Sequence, residues 1–181
     1  ITILNINDAP TLGIAPTTNA QDEDAGAINV SFSIAGGHFN DIDFGNKHHL
    51  LIKGADNGWH EATGGTGVRI GTDVGMVKVV SSGGTGENLK LVFTPDPDYF
   101  TDLKADGVTR DTTKVYYKIK DDGEDQSRDG SDNIVTTSNA KESAQGVIHF
   151  TINPVNDAPT LKTGAGDQNT SAQEDSLITI A

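Results

Sequence analysis

Apolar and polar residues alternate with a period of two in several separate stretches. Ile28, Val30, Phe32 and Ile34 fall on one face of an extended segment, with Asn29, Ser31 and Ser33 on the other. Val68-Arg69-Ile70, Val77-Lys78-Val79, Leu89 to Phe93, Val115 to Ile119 and Val147 to Ile152 read the same way. A two-residue period places alternate side chains on opposite faces of a strand, so each stretch predicts a half-buried strand. No segment carries the 3.6-residue period of an amphipathic helix. Clusters of Gly, Asn, Asp and Ser separate the strands, and these residues favour tight turns. The expected fold is therefore all-β, an antiparallel sandwich of the immunoglobulin or cadherin-like kind with long loops.

The chain also repeats itself. Asn7-Asp8-Ala9-Pro10-Thr11-Leu12 recurs 149 residues later as Asn156-Asp157-Ala158-Pro159-Thr160-Leu161. The flanks match in type. Strand-like residues precede each copy, and Gln21-Asp22-Glu23-Asp24 or Gln173-Glu174-Asp175 follows it. Such self-similarity marks a tandem array. Residues 1–8 then read as the end of a preceding repeat with its linker, 9–157 as one complete repeat, and 158–181 as the start of the next. The stretch from about Gly36 to Gly67 is irregular and Gly-rich, and longer than a hairpin connection needs.

Composition supports a thin β core. Ile and Val number 27 against 9 Leu, a bias toward strands. Asp and Glu number 26 against 13 Lys and Arg, a formal charge of −13. That balance disfavours binding to a phosphate backbone or to anionic lipid. There is no cysteine, so no disulfide can reinforce the core, and a bound cation becomes the natural reinforcement. No apolar run approaches the ~20 residues of a membrane-spanning helix.

The carboxylates fall in three groups. Asn7-Asp8 goes with Asp41 and Asp43, Asp22-Glu23-Asp24 forms a second group, and Asp121-Asp122-Gly123-Glu124-Asp125 a third. Asp129-Gly130-Ser131-Asp132-Asn133 follows the last. Carboxylate, amide and backbone oxygens on glycine-containing loops are the donors that calcium takes, six to eight at a time. From Pro10 to Glu23 the chain is long enough to cross a sandwich end to end, about 40 Å at ~3.3 Å per residue. The strand from Ile28 to Ile34 would then return Asp41 and Asp43 to the neighbourhood of Asp8.

Asn5-Ile6-Asn7-Asp8-Ala9-Pro10 and Asn153-Pro154-Val155-Asn156-Asp157-Ala158-Pro159 resemble the interdomain linker of cadherin-like repeats. In particular they resemble those of very large bacterial surface adhesins, often with RTX-type secretion. The resemblance implies a non-enzymatic, extracellular cell-surface module with several calcium ions at its junctions and neighbouring repeats as partners. It implies ligand roles for Glu23, for Asp122 and Glu124 as a late acidic loop, and for Asn156 and Asp157, while Asp24 and Asp121 are candidate ligands as members of the same acidic groups. These would form one junction. Asp41 and Asp43 would face Asn7 and Asp8 at the opposite end.

Other motifs carry less. Gly64-Gly65-Thr66-Gly67 and Gly83-Gly84-Thr85-Gly86 lack the Gly-Lys-Ser/Thr of a phosphate-binding loop and read as turns. His48, His49 and His60 lack a zinc-binding spacing and read as loop residues. Trp59 is either a core plug or an exposed platform for a ligand. In the second case Trp59 with Asp129, Asp132 and Asn133 would bind a peptide or glycan on another cell surface. The alternative is a plain extender, one link in an adhesin stalk.

Overall fold

The computed structural model describes residues 2–43, 45–62, 67–81 and 88–157. The expected repeat start at 158–181 and the Gly64 and Gly83 clusters lie outside the described residues, apart from Gly67. In chain order the strands are β1 (Thr11–Leu12), β2 (Gln21–Asp22), β3 (Ile28–Ser33), β4 (Phe39–Asn40), β5 (His48–Lys53), β6 (Trp59–His60) and β7 (Val68–Gly71). They continue with β8 (Gly75–Ser81), β9 (Asn88–Pro95), β10 (Thr113–Asp121), β11 (Glu124–Arg128), β12 (Ile134–Ser138), β13 (Gly146–Phe150) and β14 (Ile152–Asn153).

Two four-stranded antiparallel sheets form the body, ordered β3-β9-β8-β7 and β13-β10-β5-β6. Their apolar faces close on one core. Ile28, Val30 and Phe32 of β3 join Val77, Val79, Leu89, Leu91 and Phe93 from one sheet. Leu50, Ile52, Val115, Tyr117, Ile119, Ile148 and Phe150 come from the other. The sheets interlock through aromatic contacts. Phe32 meets Tyr117 edge-on at 4.9 Å and Phe93 meets Phe150 at 4.8 Å. The fold is thus the expected all-β sandwich, and every strand read from period-2 alternation is present.

The sequence pattern missed β5. In His48-His49-Leu50-Leu51-Ile52-Lys53 three consecutive apolar residues are buried, so both faces of the strand are covered and no alternation survives. The region from Gly36 to Gly67 is therefore not one long loop. It contains a central strand of the second sheet with short strands on either side.

Strand β10 sets the long axis. Its first residue, Thr113, pairs with Phe150, and its last, Asp121, pairs with His48. Its nine residues span about 27 Å at ~3.4 Å per step. At the Asp121 end β1 pairs with β4. At the Thr113 end β2 pairs in parallel with β14. The segment from Pro10 to Glu23 does cross from one end to the other, as its length suggested.

Truncation of Phe32 to Ala would leave a cavity between the sheets beneath Tyr117. Such buried aromatic deletions cost ~3–5 kcal/mol, a large share of a domain stability of ~5–15 kcal/mol. Chemical denaturation of Phe32→Ala should show a loss in that range, whereas truncation of the outward-facing Ser31 should cost less than about 0.5 kcal/mol.

Candidate functional site

The repeated Asn-Asp pairs, Asn7-Asp8 and Asn156-Asp157, lie at opposite ends of the sandwich, each end with a buried carboxylate. At the first end the Asn7 side chain is fully buried. Its amide donates to Asp121 Oδ1 at 2.8 Å and to the Asn139 carbonyl at 2.7 Å. Its Oδ1 accepts from Asn46 Nδ2 at 2.8 Å, and its backbone N–H donates to Asp125 Oδ1 at 2.8 Å. Lys141 donates to the Asn7 carbonyl. A Cβ on residue 123 would stand 1.7 Å from Asn7 Oδ1, so glycine there makes the room that the linker Asn fills.

Asp121 is wholly buried. Its Oδ1 takes the Asn7 amide together with the Gly123 and Lys141 backbone N–H groups, each at 2.9 Å. Its Oδ2 is buried without a partner. Asp41 and Asp43 come to the same end. Asp8 N–H donates to Asp43 Oδ2, and Asp43 N–H to Asp41 Oδ1 at 2.9 Å. Asp41 Oδ2 pairs with His48 Nε2 at 2.8 Å, both side chains buried, and His48 Nδ1 has no partner. Asp122 Oδ1 accepts from Lys47 N–H at 2.7 Å.

The late acidic loop therefore lies with Asn7, Asp8, Asp41 and Asp43, not with Glu23 and Asp157 as the resemblance implied. The reason is the direction of β10. It starts beside β13, close to Glu23, and carries the chain away to the other end before the acidic turn begins. Of that loop, Asp121 and Asp125 hold Asn7, while Glu124 is exposed and contributes its backbone carbonyl to Asn5.

At the second end Glu23 sits in a 3-10 turn, Glu23–Ala25, and is buried. Its Oε1 accepts from Val155 N–H at 2.6 Å, while Oε2 is buried without a partner. Asn153 Nδ2 donates to Asp22 at 3.2 Å. The Asp157 carboxyl is pushed above the ordinary aspartate range, first by the charge of Asp24, then by partial desolvation and by Asp98 and Glu23. The charges of Asp24, Asp98 and Glu23 thus all act on Asp157. Asn156 is exposed. Asp98, held in a left-handed conformation (φ 60°), was not anticipated, although Asp96-Pro97-Asp98 has the same Asp-x-Asp spacing as Asp41 and Asp43 and could have pointed to it.

All of these donors are oxygens, and a sealed carboxylate oxygen lacking a donor is what a hard cation would satisfy. The residues at both ends fit calcium in that sense. Among the described residues, however, no three His, Asp or Glu side chains already converge on one point.

The proposed ligand face is not assembled. Trp59 pairs with Lys53 at one end of β5, and its ring faces the Lys118 ammonium at 4.8 Å. Asp129, Asp132 and Asn133 form the tip of the β11–β12 hairpin, which leaves from the opposite end of that strand. Asp129 Oδ1 accepts from the Ser131 and Asn133 N–H groups, and Arg128 pairs with Asp132 at 2.9 Å. His48 and His49 of β5 and His60 of β6 are strand residues, not the loop residues expected, and they do not gather. His48 pairs with Asp41, His49 with Glu61 and His60 with Asp56. Comparison of the chain with known protein families gives no match, and comparison with curated proteins gives none either.

Two outcomes follow from this geometry. A carboxyl raised in the folded state contributes stability that is fully present below its ordinary pKa, 3.8 for Asp157. That contribution is lost as pH rises through the higher folded value. In metal-free buffer at neutral pH, Asp157→Asn should therefore raise the melting temperature, and the gain should vanish below about pH 3.8. Calorimetry across that range measures it. Separately, Gly123→Ala should expel Asn7 from its seat, and the amides of residues 5–8 should lose hydrogen-exchange protection.

Proposed function

We propose that this chain is a calcium-rigidified module of a tandem-repeat bacterial surface adhesin, acting as a stalk link between neighbouring repeats of the same chain. One observation carries the reading. Among the described residues, the buried carboxylate oxygens without partners are Glu23 Oε2 and Asp121 Oδ2, and they lie at opposite ends, each beside a copy of the same Asn-Asp pair.

The repeat register explains why neither end is complete. Asp8 and Asp157 occupy the same place in the 149-residue repeat. A full junction would therefore unite Glu23, Asp24 and Asp98 of one repeat with the linker Asp157. The next repeat would add its counterparts of Asp41, Asp43 and Asp121. Calcium at that meeting point would convert mutual repulsion between carboxylates into a shared attraction. Such sites in extracellular modules bind at ~10⁻⁴–10⁻³ M, which suits a secreted chain without cysteine. The acidic surface leaves nucleic acid and anionic membranes as poor partners.

Between a stalk link and a ligand-binding face, the geometry favours the link. The Trp59 ring is engaged by Lys118, and the acidic hairpin tip belongs to the other end of the sheet.

The test uses a two-repeat protein in which residues 9–157 follow directly after residues 1–157, so that the natural linker is kept. Millimolar calcium should raise its melting temperature and chelator should reverse the gain. Roughly hundredfold saturation corresponds to ~2.7 kcal/mol per site. Glu23→Gln in the first repeat should remove most of that gain at the junction. Asp157→Asn there should also lower the melting temperature in calcium, the reverse of its effect without metal. Identical melting curves in calcium and chelator would overturn the reading.

A further inference from the structure

The β11–β12 hairpin adds nothing to the core, and β12 is exposed along its whole length. Its lateral partner is the chain segment before residue 8. Gln126 N–H donates to the Asn5 carbonyl at 2.7 Å, Asn5 N–H to Gln126 Oε1 at 3.2 Å, and Asn5 Nδ2 to the Glu124 carbonyl at 3.0 Å. With Asn7 N–H on Asp125, the segment runs antiparallel to β11. Residue 3 then falls level with Arg128, which pairs across the hairpin with Ile134. The tip at 129–133 reaches further out still.

The repeat register identifies what lies in that space. Thr2-Ile3 stands 149 residues before Thr151-Ile152. Ile152 is fully buried and pairs with Gln21, whereas Ile3 is 89% exposed. By this register Ile3 is a core residue of the preceding repeat, so the hairpin extends alongside that repeat and not into open solvent. Consecutive side chains of a strand point to opposite faces, so each face of the hairpin carries one part-exposed β-branched side chain, Ile134 at 49% and Val135 at 40% exposure. The opposite end of the repeat offers a matching surface. The connection from β9 to β10 exposes Phe100 (44%) and Leu103 (51%). It is anchored to the exit strand where Thr101 N–H donates to the Ile152 carbonyl at 3.0 Å.

We propose that this hairpin is a docking arm that lies on the preceding repeat of the same chain. One face of the arm, with the apolar side chain it carries at 134–135, meets that repeat's counterparts of Phe100 and Leu103. The contact is head-to-tail, one surface from each end of the repeat, and so it propagates along an array. It limits bending and rotation about the linker, and it adds apolar burial to a junction otherwise built of charges. The proposal rests on the tandem-repeat part of the proposed function and is independent of calcium.

Hydrogen exchange on the two-repeat protein and on the 181-residue chain tests it. Joining the repeats should slow exchange at 134–135 of the second copy and at 100–103 of the first by ~10-fold or more. Ile134→Ser with Val135→Ser in the second copy should abolish that protection. Both side chains are already part-exposed, so the variant should fold, which an unchanged core exchange pattern would verify. Equal exchange in single and joined repeats would overturn the arm. Concentration-dependent protection of the hairpin in the 181-residue chain would also overturn it, by making a second molecule the occupant. Calcium-dependent melting read on the same samples separates the two proposals. Melting that responds to calcium without hairpin protection removes the arm alone. Hairpin protection with melting indifferent to calcium upholds the arm and removes the calcium reading alone.

Discussion

A carboxylate oxygen withdrawn from water without a hydrogen-bond donor costs at least ~1–3 kcal/mol, and more while it is charged. Glu23 Oε2 and Asp121 Oδ2 are both in that position. Neither burial is incidental to packing. Glu23 is turned inward by a 3-10 turn and tied through its other oxygen to the Val155 backbone. Asp121 ends the longest strand and collects three N–H donors on one oxygen, leaving the other bare. The ordering of both linkers passes through these two side chains, so whatever neutralises them also governs how the module is held at its ends.

The sandwich makes that arrangement possible by separating the charges from the core. β10 alternates strictly between buried and outward residues, filling the space between the sheets with Val115, Tyr117 and Ile119. Only at its last position does the same inward face present a carboxylate. A single strand thus links the thin apolar core to the polar seat of Asn7. Disturbance of either would be transmitted along it, because close-packed interiors deform little.

Electrostatics divides the two ends. At the first, like charges are mitigated by neighbours already present. His48 sits on Asp41, Lys141 on the Asn7 carbonyl, and Asn46 and Asn139 on the linker and Asp125. At the second, the negative charges of Asp24, Asp98 and Glu23 act on the exposed Asp157 carboxyl and raise it. Polar contacts therefore tie the first end together, while like charge acts on Asp157 at the second.

The residues alone pointed to the all-β fold, to most strands of its two main sheets, to the internal duplication and to the oxygen-rich chemistry of the acidic groups. Alternation at Ile28 to Ile34 or Val115 to Ile119 is a local property of a half-buried strand, and a duplicated Asn-Asp-Ala-Pro is visible without any fold. Strand β5 was hidden because Leu50, Leu51 and Ile52 are buried on both faces, which erases the period. Tertiary structure alone decided which carboxylates meet. Asp121 lies 114 residues from Asn7 yet bonds to it, and the charge of Asp98 acts on Asp157 from a distant connection. Both depend on where long strands begin and end. The direction of β10 is set by its pairing with β5 and β13, a non-local choice that no short stretch of sequence encodes.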